Sequence, residues 1–110
     1  MDKELKITLT LKSKINETDE EISIADELLN YNKYLLRQYV KNYNSGEYQY
    51  KDFIFSLTKE LMNKRIESSE NRIRNLNQRK KELTEELEAS KNKLSATDRI
   101  IYDDIIKNSI

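Results

Sequence analysis

At 110 residues the chain has room for one small domain and an appendage. Apolar and charged residues each make up 36%, too little apolar material for a generous monomeric core, but suited to narrow stripes buried against another copy. Twenty Lys and Arg balance twenty Asp and Glu, which argues against indiscriminate polyanion binding, and the absence of Cys and His removes disulfides, thiolate sites and the usual zinc sites.

Nothing resembles a Gly-rich phosphate loop, and the carboxylates sit at helix-surface spacing. Asp103 and Asp104 are adjacent and point to different helix faces, a poor acid–base dyad. The chain is therefore not expected to be an enzyme or to hold a cofactor or metal. No apolar run reaches membrane-spanning length and the start lacks a signal-peptide core, so a cytoplasmic protein with no membrane partner is expected. Charge is nevertheless segregated. Residues 1–14 carry four Lys against Asp2 and Glu4, residues 15–30 six acids and no base, and residues 59–81 eight bases against three acids. Such a basic block either skims a phosphate backbone or forms the solvated face of a coiled coil.

In chain order, Glu4 to Lys12 alternates strictly. Leu5, Ile7, Leu9 and Leu11 fall on one face, and Glu4, Lys6, Thr8, Thr10 and Lys12 on the other. Period two with β-branched residues predicts a strand. A lone strand cannot satisfy its edges, and the simplest second strand is that of another copy, paired antiparallel about a two-fold axis. Asn16, Thr18 and Asp19 are candidate N-caps for a following helix carrying Ile22, Ala25, Leu28 and Leu29. Asn30-Tyr31-Asn32 suits a break. Leu35, Leu36, Tyr39, Val40 and Tyr43 then mark a second helix that ends at Asn44-Ser45-Gly46, the single glycine of the chain.

This strand, helix, turn and helix over residues 4–44 resembles the ribbon-helix-helix family of dimeric DNA-binding proteins. The resemblance rests on the alternating ITLTLK stretch and the element lengths. It implies that the outward side chains of paired strands, here Lys6, Thr8 and Thr10 with Lys12 at the margin, read base edges in the major groove. It also implies that amides after Asn32, with Lys33 nearby, clamp phosphate. The turn lacks the Gly-x-Ser/Asn pattern of many members, which leaves one continuous helix over residues 17–43 as the other reading. A further reading takes the alternation of Tyr48, Tyr50, Phe53 and Phe55 as a strand over residues 47–55 pairing with residues 5–11 of the same chain, although Phe53, Leu57 and Leu61 equally begin a helix.

Lys51 to Leu94 contains no Gly or Pro and keeps a seven-residue apolar repeat: Met62, Ile66, Ile73, Leu76, Leu83, Leu87 and Leu94 all take a or d positions, interrupted by Ser69, Lys80 and Ser90. Unbroken, this helix is on the order of 66 Å long. Arg65 with Glu70 and Glu86 with Lys91 suit the flanks of a parallel homodimer. The alternative is a hairpin bent near residues 71–77 that folds 51–70 onto 78–94. Finally, Ser95-Ala96-Thr97-Asp98 predicts the cap of a last helix, whose Ile101, Ile105 and Ile106 either fold back or dock on another protein.

The expected fold is thus mainly α, with a strand-helix-helix module over residues 1–46, a coiled-coil stalk over 47–94 and an amphipathic helix over 95–110. The expected function is a homodimer that binds specific double-stranded DNA as an accessory of a mobile element, in plasmid partition, a relaxosome or repression, and recruits a protein through its C-terminal helix. The alternative is a protein-binding coiled-coil module, a phage-type inhibitor or assembly adaptor, that never touches DNA.

Overall fold

The structure, a computed structural model, describes residues 3–46 and 52–109. Three helices account for nearly all of them: α1 spans Lys3–Asn44, α2 Asp52–Lys91 and α3 Ala96–Asn108. Gly46 takes φ 73° just after α1, the left-handed conformation that suits glycine after a helix end. The amides of Ser45 and Gly46 bond back to the carbonyls of Lys41 and Tyr43. The chain divides into two units, one built from the described residues up to Glu20 and those from Asn77 onward, the other from Glu21–Leu76.

In the first unit α1 and α2 run antiparallel, because Thr8 meets Ser90 while Asp19, further along α1, meets Lys80, earlier along α2. Leu5, Leu11 and Ile15 of α1 bury against Leu83, Leu87 and Leu94, and Tyr102 of α3 joins the same cluster, with Leu9 and Ile106 packed on its margin. The second unit is again antiparallel: Glu21 bridges to Arg72 at 3.7 Å, and Tyr39 and Tyr43 stack on Phe55.

The strand expected over residues 4–12 is helix, so the strand-helix-helix start and the ribbon-helix-helix resemblance built on it are overturned. Alternation of apolar residues is a short-range signal. In a helix, residues two apart point to nearly opposite sides, so the supposed apolar face separates. Leu5 and Leu11 enter the core, Leu9 is half-buried and Ile7 faces solvent. Pairing of residues 5–11 with a strand at 47–55 fails for the same reason. Phe53 and Phe55 lie in α2, while Tyr48 and Tyr50 are outside the described residues. Helix α1 also runs through Asn16–Asp19 and Asn30–Asn32 without a break.

A longer window explains the helix. Thr8, Ile15, Ile22, Leu29, Leu36 and Tyr43 recur every seven residues, as do Leu11, Thr18, Ala25, Asn32 and Tyr39, and every one is buried or half-buried. Together they form the a/d stripe of a coiled-coil helix, with four of its positions held by Thr, Ala or Asn. The partner stripe is the heptad seam of α2. The seam therefore faces α1 of its own chain, and α2 continues unbroken through residues 71–77. Neither a parallel pairing of α2 with another copy nor a bend within α2 describes this packing.

The polar interruptions of the two stripes meet each other. Thr8, fully buried, donates to the Glu4 carbonyl at 2.7 Å, and its hydroxyl oxygen lies 2.6 Å from Oγ of Ser90. A hydroxyl has one proton, so Ser90 donates to Thr8. Buried Thr18 donates to the Lys14 carbonyl at 2.8 Å. Lys80 extends along the seam to place its ammonium 2.7 Å from Asp19.

The Ser95 hydroxyl accepts from the amide of Asp98 at 3.1 Å, so α3 starts where the capping pattern puts it. Lys91 holds its ammonium 5.3 Å from the centre of the Tyr102 ring, a cation–π contact at the α2–α3 corner. Among the described residues no helix is long and apolar enough to cross a membrane.

The seam hydroxyls act as a pair. Thr8→Val and Ser90→Ala are each expected to lower stability in urea unfolding, with the double variant losing about 0.5–1.5 kcal/mol less than the sum of the two. Strict additivity would show that the contact contributes nothing.

Candidate protein-interaction face

The residues singled out for DNA do not form one surface. Thr8 points into the seam, toward Ser90. Lys6 and Thr10 lie one turn apart on the exposed side of α1, where the Thr10 hydroxyl donates to the Lys6 carbonyl at 2.9 Å. They line a shallow groove of about 400 Å³ with Lys3, Ile7, Leu11 and Lys14. Lys12 is half-buried on another side. Asn32 is half-buried within α1 and Lys33 is exposed; the amides that follow Asn32 belong to a continuous helix and have no free N-terminal end to offer a phosphate.

The seam residues divide by depth. Leu76, Leu83, Leu87 and Leu94 are buried, and Met62, Ile66 and Ile73 half-buried. In the C-terminal helix Ile106 packs on the core cluster, which removes it from a docking stripe. Ile101 and Ile105 are only just exposed, whereas Ile100 stands 71% exposed. Burial, and after it the carboxylates of Asp103 and Glu88, pushes the Tyr102 phenol above its ordinary 10.0.

The second unit carries a feature that the heptad reading of α2 missed. The Glu21–Arg72 bridge marks one flank of the α1–α2 pair. From Glu21, steps of three and four along α1 reach Ile24, Leu28 and Tyr31, all exposed, then half-buried Leu35. Steps back from Arg72 along α2 reach Ser68, Arg65, Leu61, Leu57 and Ile54, and the last three are again exposed apolar residues. Because residues three and four apart share a helix face, both runs lie on the flank marked by the salt bridge. A groove of about 490 Å³ follows α2 there, lined by Thr58, Leu61, Met62, Lys64, Arg65 and Ser68. Leu28, expected with Ile22, Ala25 and Leu29 on the apolar face of a short helix, is exposed here, while those three are buried or half-buried. The usable signal is a second apolar stripe one position before the a/d residues of α1, at Ile24, Leu28, Tyr31 and Leu35, with Leu61 before Met62 on α2.

The turn end of this unit is held by aromatic rings. Tyr43 stacks on Phe55 with centroids 3.8 Å apart, Tyr39 stacks on the same ring at 5.4 Å, and the Tyr43 hydroxyl donates to Asp52. That hydrogen bond, more than desolvation, raises the Tyr43 pKa. These contacts join the two helices at the turn without using the exposed stripes.

Scattered surface apolar residues are ordinary, whereas here two adjoining stripes of them lie on one flank and stay exposed in the chain. Among the described residues no group of three or more Asp or Glu side chains is placed to hold a metal ion. Comparison with family models, with curated proteins and with solved structures gives no match for this chain.

The Tyr102 shift has a stability consequence. Below about pH 10 the phenol is protonated in folded and unfolded chains alike, and its contribution is fully present. Above that, the unfolded chain releases the proton first, so stability falls as pH rises through the higher folded value. The difference in thermal midpoint between wild type and Tyr102→Phe should be flat from neutral pH to about 10 and shift against wild type beyond it. A flat difference at all pH values would mean that the phenol is not desolvated on folding.

Proposed function

We propose that the chain is a protein-binding helical module of the adaptor or inhibitor kind, and that it works through the flank of the second unit that carries Ile24, Leu28, Tyr31, Leu57 and Leu61. The observation that supports this is the double stripe: both helices already turn a seam of buried and half-buried residues toward each other, yet each presents a second apolar line on the same side. These side chains are already about half covered by their own helices, so a partner that covers the rest gains roughly half of a full burial, on the order of 1 kcal/mol for each.

Reading DNA with paired strands plays no part in this proposal. It required residues 4–12 to be extended and their polar side to face outward, whereas they are helical and Thr8 is inside.

A photo-reactive benzoylphenylalanine placed at Tyr31 or Leu61 tests the module reading in the cells that make the protein. Both positions are expected to yield covalent adducts with a polypeptide, and exposed Glu85, which lies off this flank, to yield none. Equal labelling at the three positions, or no adduct from either stripe, would remove the proposal.

A further inference from the structure

We infer that the occupant of this flank is a second copy of the same chain, joined about a two-fold axis that runs along the helix pair and sets α1 of one copy over α2 of the other. The inference rests on the proposed binding role of the flank and names its partner.

The argument is charge complementarity between the two stripes. On α1 the line is bordered by Glu21 and Glu27, and residues 21–32 contain no base. On α2 it is bordered by Lys64, Arg65 and Arg72. Lys64 also makes an exposed bridge to Glu60 at 3.6 Å and Arg72 one to Glu21 at 3.7 Å, while Glu60, Glu67 and Glu70 themselves stand off that line. One helix of the flank is therefore acid-edged and its neighbour base-edged. The contacts within the unit also set the levels at which they face. Glu21 lies beside Arg72 and Tyr39 beside Phe55, so Leu28 and Tyr31 stand at about the level of Arg65 and Leu61.

A two-fold along the pair keeps every level and exchanges the helices. Tyr31 and Leu35 of each copy then cover Leu57 and Leu61 of its partner, and Glu27 comes to Lys64 and Arg65, twice over by symmetry. Setting α1 over α1 instead would place carboxylates on carboxylates and guanidinium groups on guanidinium groups, which repel. The arrangement is self-complementary in both shape class and sign, a requirement of an isologous interface.

Sedimentation equilibrium of the full chain tests this. Wild type is expected at twice the 13.2 kDa of one chain. Leu61→Glu is expected at the single-chain mass with unchanged helical circular dichroism. Because that variant alone could be lost to misfolding, a charge exchange accompanies it. Glu27→Lys is expected to weaken association about tenfold through its two symmetry-related contacts. Adding Lys64→Glu and Arg65→Glu to the same chain is expected to restore it. A dimer indifferent to Glu27→Lys, or one not restored by the exchange, overturns the assigned pairing. A wild-type monomer whose Leu61 photo-adduct is a different polypeptide overturns self-association and leaves the module reading standing. A monomer with no adduct overturns both.

Discussion

Everything in this protein depends on the seam between α1 and α2 being matched residue by residue, polar against polar as well as apolar against apolar. Leucines alone hold two helices together but do not choose among registers, since a slip of seven residues again places leucine near leucine. The polar interruptions make the choice. Ser90 donates to Thr8 inside the seam, and Lys80 reaches Asp19 at its edge. A slip of one heptad separates both pairs. The carboxylate–ammonium pair is partly exposed, so its own stabilisation is small, about 0.2–1 kcal/mol. The hydroxyl pair is deeper, and a buried hydroxyl with no partner costs about 1–3 kcal/mol. The interruptions thus lower seam stability a little and specify the register.

That matching settles how the apolar residues are shared out. With the inner stripes of α1 and α2 committed to one another, the first unit completes its core by adding α3, whose Tyr102 and Ile106 close over Leu94 and its neighbours. Within the second unit, no described residue plays the corresponding part for Ile24, Leu28, Leu57 and Leu61. The short aromatic stack of Tyr39, Tyr43 and Phe55 fastens the turn end there and leaves the flank uncovered. The surplus of apolar surface is therefore localised.

What was legible in the sequence follows from the same physics. The heptad of α2, the stop at Gly46 and the cap at Ser95 are long-range periodicity or backbone chemistry, and they correspond to α2, the end of α1 and the start of α3. The start of α1 was misread because Leu5, Ile7, Leu9 and Leu11 with two threonines satisfy a strand pattern over nine residues. The competing heptad emerges only over five turns or more, and four of its positions are Thr8, Thr18, Ala25 and Asn32, which an apolar count passes over. Threonine is tolerated there because its hydroxyl bonds back to the carbonyl four residues earlier, as Thr8 and Thr18 both do. The partner of α2 was misassigned for a related reason. A seam in one helix says that a complementary stripe exists, and that stripe was hidden in the segment read as strand and short helices.

The borders of the exposed flank bear on what the stripes are for. An apolar line with neutral edges would attract any hydrophobic surface, including unfolded chains. Here carboxylates edge one line and lysine and arginine the other, so a partner must present both signs in the opposite order to approach without leaving like charges facing each other. Such edges add little affinity, since each exposed pair contributes only a few tenths of a kcal/mol to about 1. Their effect lies in what they reject. On the proposed pairing, a helix pair edged by one sign only would meet like charge along half of the flank. The neutral net charge of the chain conceals this division, from which the proposed pairing takes its selectivity.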